Sequence, residues 1–101
     1  MFSNEEITAA LLALGGRLRA LRIAKGDSQA MFARRIGVSV PTLRDLEQGH
    51  PRVSVGSWGA ALWALSRLPD LDTVLQAQES LFEQFARQPA QRQRAPRRAK
   101  A

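Results

Sequence analysis

The sequence contains no cysteine and only one histidine, His50. Without cysteine there is no disulfide framework, no thiolate zinc site and no cysteine nucleophile. One histidine cannot build a histidine-rich metal site, so neither a metal nor another cofactor is expected. No apolar run approaches the ~20 residues of a membrane-spanning helix. The opening Met1-Phe2-Ser3-Asn4-Glu5-Glu6 has neither the basic region nor the apolar stretch of a secretory signal. A cytoplasmic protein with no membrane partner is the expectation. Convergent carboxylates, Cys–His or Ser–His arrangements and Gly-rich phosphate loops are also missing, so an enzyme is not expected. At 101 residues and 45% apolar content, the chain suits one small core and is too short for a two-domain cofactor enzyme.

The charge is unevenly divided along the chain. Fifteen Lys and Arg stand against nine Asp and Glu, a formal charge of +6. Residues 1–86 hold nine basic side chains and all nine acids, 9 − 9 = 0, whereas residues 87–101 hold Arg87, Arg92, Arg94, Arg97, Arg98 and Lys100 with no acid, 6 − 0 = +6. That second stretch is proline, glutamine, alanine and arginine without an apolar period. It cannot bury enough surface to offset chain entropy, so a disordered basic tail over 87–101 is expected behind a domain over 1–86.

Within 1–86 nearly every segment has helical periodicity, and no tandem repeat is visible. Ser3-Asn4-Glu5-Glu6 has the spacing of a capping box. Ile7, Leu11, Leu14, Leu18 and Leu21 follow at steps of four and three, one apolar stripe on a helix ending near Lys25, with Gly26 suited to the left-handed position after it. Gly15-Gly16 inside this helix is a place to bend or break, at roughly 1 kcal/mol per glycine relative to alanine. Whether residues 1–14 form a separate arm stays open. Ser28 caps a second helix, Gln29–Ile36, with Phe32, Ala33 and Ile36 inward, ending at Gly37. Ser39 caps again two residues later, Pro41 falls in the first helical turn where its missing N–H costs nothing, and Leu43 and Leu46 are buried before Gly49. Two short helices across Gly37-Val38-Ser39 make a helix-turn-helix, whose second helix enters the DNA major groove. Ala33 is small where those helices cross, and Gly37 accommodates the positive φ of the turn. After the loop His50-Pro51-Arg52-Val53, Ser54 caps a fourth helix carrying Val55, Trp58, Ala61, Leu62 and Leu65. Pro69 breaks the pattern, and Asp70 or Asp72 caps a fifth helix with Leu71, Val74, Leu75, Leu81, Phe82 and Phe85 on its apolar side.

The run from Ser28 to Gly49, SQAMFARRIGVSVPTLRDLEQG, resembles the helix-turn-helix of Xre-type, phage-repressor-like regulators, and the likeness spans about residues 15–70. It implies an all-α, five-helix DNA-binding domain. The continuation Val53-Ser54-Val55-Gly56 through Leu65 and Asp70-Leu71, with the terminal Arg92-Gln93-Arg94-Ala95-Pro96-Arg97-Arg98, is similar to HipB-type antitoxins. These repress their own operon and bind a HipA-type kinase toxin.

The resemblance places Gln29 on the phosphate-contacting edge, where free N–H groups at the helix start also point at anions; an ordinary solvated glutamine is the alternative. Ser28 shares that edge. Val40 and Pro41 occupy positions that commonly read bases, yet neither offers a hydrogen bond, leaving contact with a thymine methyl. Thr42 and Arg44 are the polar residues nearest the exposed side, and Arg44 suits guanine O6 and N7, a contact worth ~1–3 kcal/mol of discrimination. A phosphate contact, or an ion pair with Asp45 or Glu47, is the competing reading, and sparse base contacts shift specificity to DNA shape. Gln48 and Arg52 are placed for the phosphate backbone. Arg34 and Arg35 have the same option beside a solvated face. Arg22 and Glu47 match positions that form an internal ion pair in the family.

Trp58 and Trp63 are five residues apart, about 140° around a helix. Trp58 aligns with Leu62 and Leu65 for burial. Trp63 is then an exposed aromatic for a dimer or partner surface together with Phe82 and Phe85, or packs on the first or fifth helix. The arginines of the tail, Arg92, Arg94, Arg97 and Arg98, suit DNA phosphates or a partner kinase, or only aid solubility. The leading expectation is a homodimeric repressor on an inverted-repeat operator that is also antitoxin to a HipA-like kinase, working at the nucleoid of a bacterial cytoplasm. An antitoxin whose DNA binding is secondary, and a phage or mobile-element repressor without a toxin, are the alternatives.

Overall fold

The structure is a computed structural model that describes residues 4–77. Five helices and no strand occur among the described residues: α1 Glu5–Lys25, α2 Gln29–Ile36, α3 Val40–Glu47, α4 Val55–Ala64 and α5 Leu68–Asp72. Phe82, Phe85, the boundary at residue 86 and the basic tail lie outside the described residues.

Four of the five helices open on a short polar side chain that accepts from a free amide of the first turn, as these residue types do at N-caps. Ser28 Oγ accepts from Met31 N at 3.1 Å, Ser39 Oγ from Thr42 N at 3.2 Å and Ser54 Oγ from Ser57 N at 3.0 Å. At α1 the expected Ser3 cap gives way to Asn4, whose Oδ1 accepts from Glu6 N at 2.7 Å and Ile7 N at 3.3 Å. Asparagine reaches the same orphan amides one residue later, so the helix starts at Glu5.

The Gly15-Gly16 pair does not break α1, which runs unbroken for 21 residues. A Cβ on Gly15 would sit 2.5 Å from the Glu47 carbonyl oxygen and 2.6 Å from that of Leu46. The missing side chain therefore lets the end of α3 lie directly on α1. A Cβ on Gly49 would likewise run into the Leu11 carbonyl. Gly15 and Gly49 are spacers between backbones, and residues 5–14 are continuous with the rest of α1.

The core is Leu18, Phe32, Ala33, Ile36, Leu43, Leu46 and Ala61, with Val38, Val40, Val53, Trp58, Ala60, Ala64 and Leu65 packed around it. Of the α1 stripe, Leu18 is buried, Leu11 and Leu14 are half-buried, and Ile7 and Leu21 lie on the exposed side. Val55 is also exposed: as the first residue of α4 it sits before the turn that meets the core. The fifth helix differs most from expectation. It spans only Leu68–Asp72, with Pro69 in its first turn and no side-chain cap from Arg67. Proline is tolerated there because the first-turn amides have no intrahelical acceptor, so Pro69 starts this helix instead of breaking it. Asp70 is inside, paired with Arg67 Nη2 at 2.8 Å. Val74 and Leu75 lie beyond the helix end and are exposed.

Candidate nucleic-acid interface

Residues 29–47 form two eight-residue helices joined by a three-residue turn. Ala33 is buried where they meet. Gly37 closes α2 in the left-handed region, φ 75°, while Val38 N donates to Ala33 O at 3.0 Å. An L side chain at that φ is penalised and glycine is not. The turn thus fixes the angle at which α3 leaves α2.

One side of α3 is spent on the core. Leu43 and Leu46 are fully buried, and Val40 is half-buried against the same cluster. The opposite side presents Pro41, Arg44 and Gln48, all exposed, at i, i+3 and i+7, which is one stripe of a helix. Of the four expected base-contacting residues, Pro41 and Arg44 are on this stripe. Val40 is not, because as first residue of the helix it folds back onto the core. Thr42 is half-buried beside Ser39, with its Oγ1 3.0 Å from Ser39 Oγ. Gln48, expected at the phosphates, shares the stripe with Arg44. Arg44 makes no ion pair with Asp45 or Glu47 among the described residues, so its guanidinium is unencumbered.

Behind the stripe, α3 is held by a buried charge pair. Arg22 Nε lies 2.5 Å from Glu47 Oε2 and Arg22 Nη2 3.1 Å from Glu47 Oε1. Both residues are under a tenth exposed. The third guanidinium nitrogen, Nη1, donates to Asp27 O at 2.8 Å, and Gln29 Nε2 donates to Glu47 Oε1 at 3.2 Å. Every charged edge thus has a partner, which a desolvated pair requires. Glu47 ends α3, where the helix dipole disfavours an anion, and Arg22 offsets that field. The cluster clamps α1, the α1–α2 loop, the start of α2 and the end of α3.

Several expected phosphate contacts look different in this light. Gln29 is half-buried with its amide nitrogen turned to Glu47, so it braces the clamp at the α2 N-terminus. Ser28 has its hydroxyl oxygen committed to the Met31 amide. Arg35 belongs to an ion pair with buried Asp27, Nη1 to Oδ2 2.5 Å. Arg34 and Arg52 are exposed, and the Arg52 amide donates to His50 Nδ1 at 3.2 Å, bracing the loop after α3. Sequence reasoning missed Asp27. Its position directly before the Ser28 cap and eight residues from Arg35 was the available signal.

A compact all-helical body with a short helix held end-on by the clamp and presenting a polar stripe defines a DNA-binding helix-turn-helix regulator. A helix-turn-helix domain family model matches residues 13–85, well over half the chain, and the protein belongs to that family. No curated protein and no solved structure matches it. It is a DNA-binding regulator of the Xre-type class. Among the described residues, no helix is long and apolar enough to cross a membrane.

Proposed function

We propose that the protein is a sequence-specific transcriptional repressor that binds an inverted-repeat operator as a homodimer. The observation that carries this reading is the exposed stripe Pro41–Arg44–Gln48 on a helix whose other side buries Leu43 and Leu46 in the core. Arg44 reads a guanine in the major groove and Pro41 packs on a neighbouring base edge; Arg34 and Arg52, with the α2 N-terminal amides beside Ser28 and Gln29, hold the phosphates. One such helix touches too few base pairs for tight, selective binding. Two copies reading half-sites roughly 34–36 Å apart supply the rest.

The narrower part of the proposal is an antitoxin of HipB type that neutralises a HipA-like kinase in the bacterial cytoplasm. Its support is the resemblance carried by Val53–Gly56, Asp70-Leu71 and the arginines at 92, 94, 97 and 98. In this reading residues 1–86 are the DNA-binding domain and 87–101 a basic extension that adds phosphate contacts. An electrophoretic shift with the DNA upstream of the protein's own gene is the test. Specific repression expects a complex on that DNA at a concentration where scrambled DNA of the same length stays free. Equal affinity for both refutes it. Failure of the chain to co-purify with, and inhibit, a kinase encoded beside it refutes the antitoxin part alone.

A further inference from the structure

The largest side chain left in solvent among the described residues is Trp63, 64% exposed on α4. With Ala64, Ser66, Lys25 and Arg35 it lines an open cleft of about 430 Å³. None of these residues belongs to α3, so the cleft is separate from the stripe proposed for DNA. Its rim is built firmly. Ser66 adopts a left-handed φ of 59°, and the turn is closed by Ser66 N to Trp63 O at 3.0 Å and Arg67 N to Leu62 O at 2.8 Å. Lys25 has no ion-pair partner among the described residues. Arg35 commits Nη1 to Asp27 while its side chain stays 39% exposed.

An aromatic face flanked by two cations calls for apolar side chains accompanied by carboxylates. Residues 79–85 of the chain have that chemistry. Glu79 and Glu83, four residues apart, bracket Leu81 and Phe82 and are followed by Phe85. The family match extends through residue 85, so this segment belongs to the matched domain. The arginine-rich residues beyond it are repelled by Lys25 and Arg35. A two-fold axis makes any such contact count twice, since the same pair of surfaces meets on both sides.

We infer that the Lys25–Arg35–Trp63 cleft of one copy receives residues 79–85 of a second copy, Phe82 and Phe85 meeting Trp63 and Ala64 while Glu79 and Glu83 face Lys25 and Arg35. This assigns a contact to the homodimer proposed above and rests on that reading. The test is charge exchange in the full chain, read by sedimentation equilibrium. Lys25→Glu and Glu83→Lys each raise the dimer dissociation constant by about tenfold or more, as like charges at an interface do. An equimolar mixture of the two variants restores dimerisation, because the mixed dimer holds one native and one exchanged contact. Trp63→Ala weakens the dimer without changing the helical circular dichroism. Single variants that dimerise as the parent chain does overturn the inference and leave a dimeric repressor standing. So does a mixture that fails to restore a weakened dimer, the result expected if residues 79–85 seat on their own copy. A parent chain that is monomeric at concentrations where it shifts its upstream DNA overturns both the contact and the dimeric reading.

Discussion

Cutting the clamp behind α3 on one side is the sharpest test of how this domain is held together. Glu47→Ala removes a carboxylate whose side chain is 3% exposed and leaves the Arg22 guanidinium, 8% exposed, without its counter-charge. Nε and Nη2 of Arg22 lose their acceptors, as does the Gln29 amide. Removing one partner of a buried ion pair costs ~3–5 kcal/mol. A domain of this size has a total stability of only ~5–15 kcal/mol, so Glu47→Ala brings it near the folding threshold. At ~4–8 °C per kcal/mol the melting temperature falls by on the order of 15–30 °C. Arg22→Ala strands the carboxylate in the same way and should cost a similar amount. Because the two losses share one cause, the double variant Arg22→Ala/Glu47→Ala costs much less than their sum, with a coupling of ~2 kcal/mol or more. Replacing the pair by Arg22→Met/Glu47→Leu, which fills the space with apolar atoms, should be near neutral or stabilising. Urea unfolding of the four variants, followed by circular dichroism at 222 nm, reads all of this. Additive single losses, or a loss below ~1 kcal/mol for Glu47→Ala, the range of exposed pairs, would refute the account of a desolvated clamp.

Three other predictions follow from the same geometry. Arg44→Ala should reduce affinity for the operator about 5- to 150-fold, the equivalent of ~1–3 kcal/mol, and relax selectivity at one base pair per half-site; a shift titration against single-base operator variants checks it, and an equal loss on all sequences would make Arg44 a phosphate contact. Deleting residues 87–101 should flatten the dependence of log affinity on log salt, by up to ~0.9 per arginine or lysine that touches a phosphate; an unchanged slope removes the tail from the DNA complex. Gly15→Ala should destabilise by ~2 kcal/mol or more, despite alanine's ~1 kcal/mol advantage inside a helix, because its Cβ meets two carbonyl groups of α3 that cannot yield as a side chain would; urea unfolding decides the sign.

The parts of the fold that were legible in the sequence are those governed by neighbours along the chain. Ser28, Ser39 and Ser54 announce helix starts because a cap is a contact over three residues. Gly37 announces the turn because only its own φ is at issue. The Leu43 and Leu46 spacing names the buried side of α3, and from it the exposed side follows. Local pattern misleads where a residue's role depends on something distant in sequence. Gly15 looks like a helix breaker until the end of α3, more than thirty positions away, is laid across it. Pro69 looks like a stop because nothing local says whether a proline ends one helix or begins the next. The Gln29 amide turns to Glu47, a distant acceptor that local pattern does not bring near.

The same distinction explains why Val40 and Thr42 are not on the exposed stripe of α3. Val40 and Thr42 are exposed on an isolated helix drawn from Ser39, since the first turn has no periodic partner upstream to assign its inner side. Packing settles it. The Ser39 cap sets the start of α3, and the clamp sets its far end. Between those two points Leu43 and Leu46 must both enter the core. With the rotation fixed in that way, Val40 turns toward the core, three residues before Leu43, and Pro41, Arg44 and Gln48 turn outward together. A regulator built on this frame has few hydrogen-bonding groups on its reading face, one guanidinium and one amide. On the proposed dimeric reading, selectivity comes from Arg44 at one base pair, from the spacing of two half-sites, and from how readily the DNA between them adopts the required shape. Single-base changes at operator positions that no side chain reaches should therefore alter affinity in step with local groove width and stiffness, and a flat response there would mean that direct contacts carry more than this stripe provides.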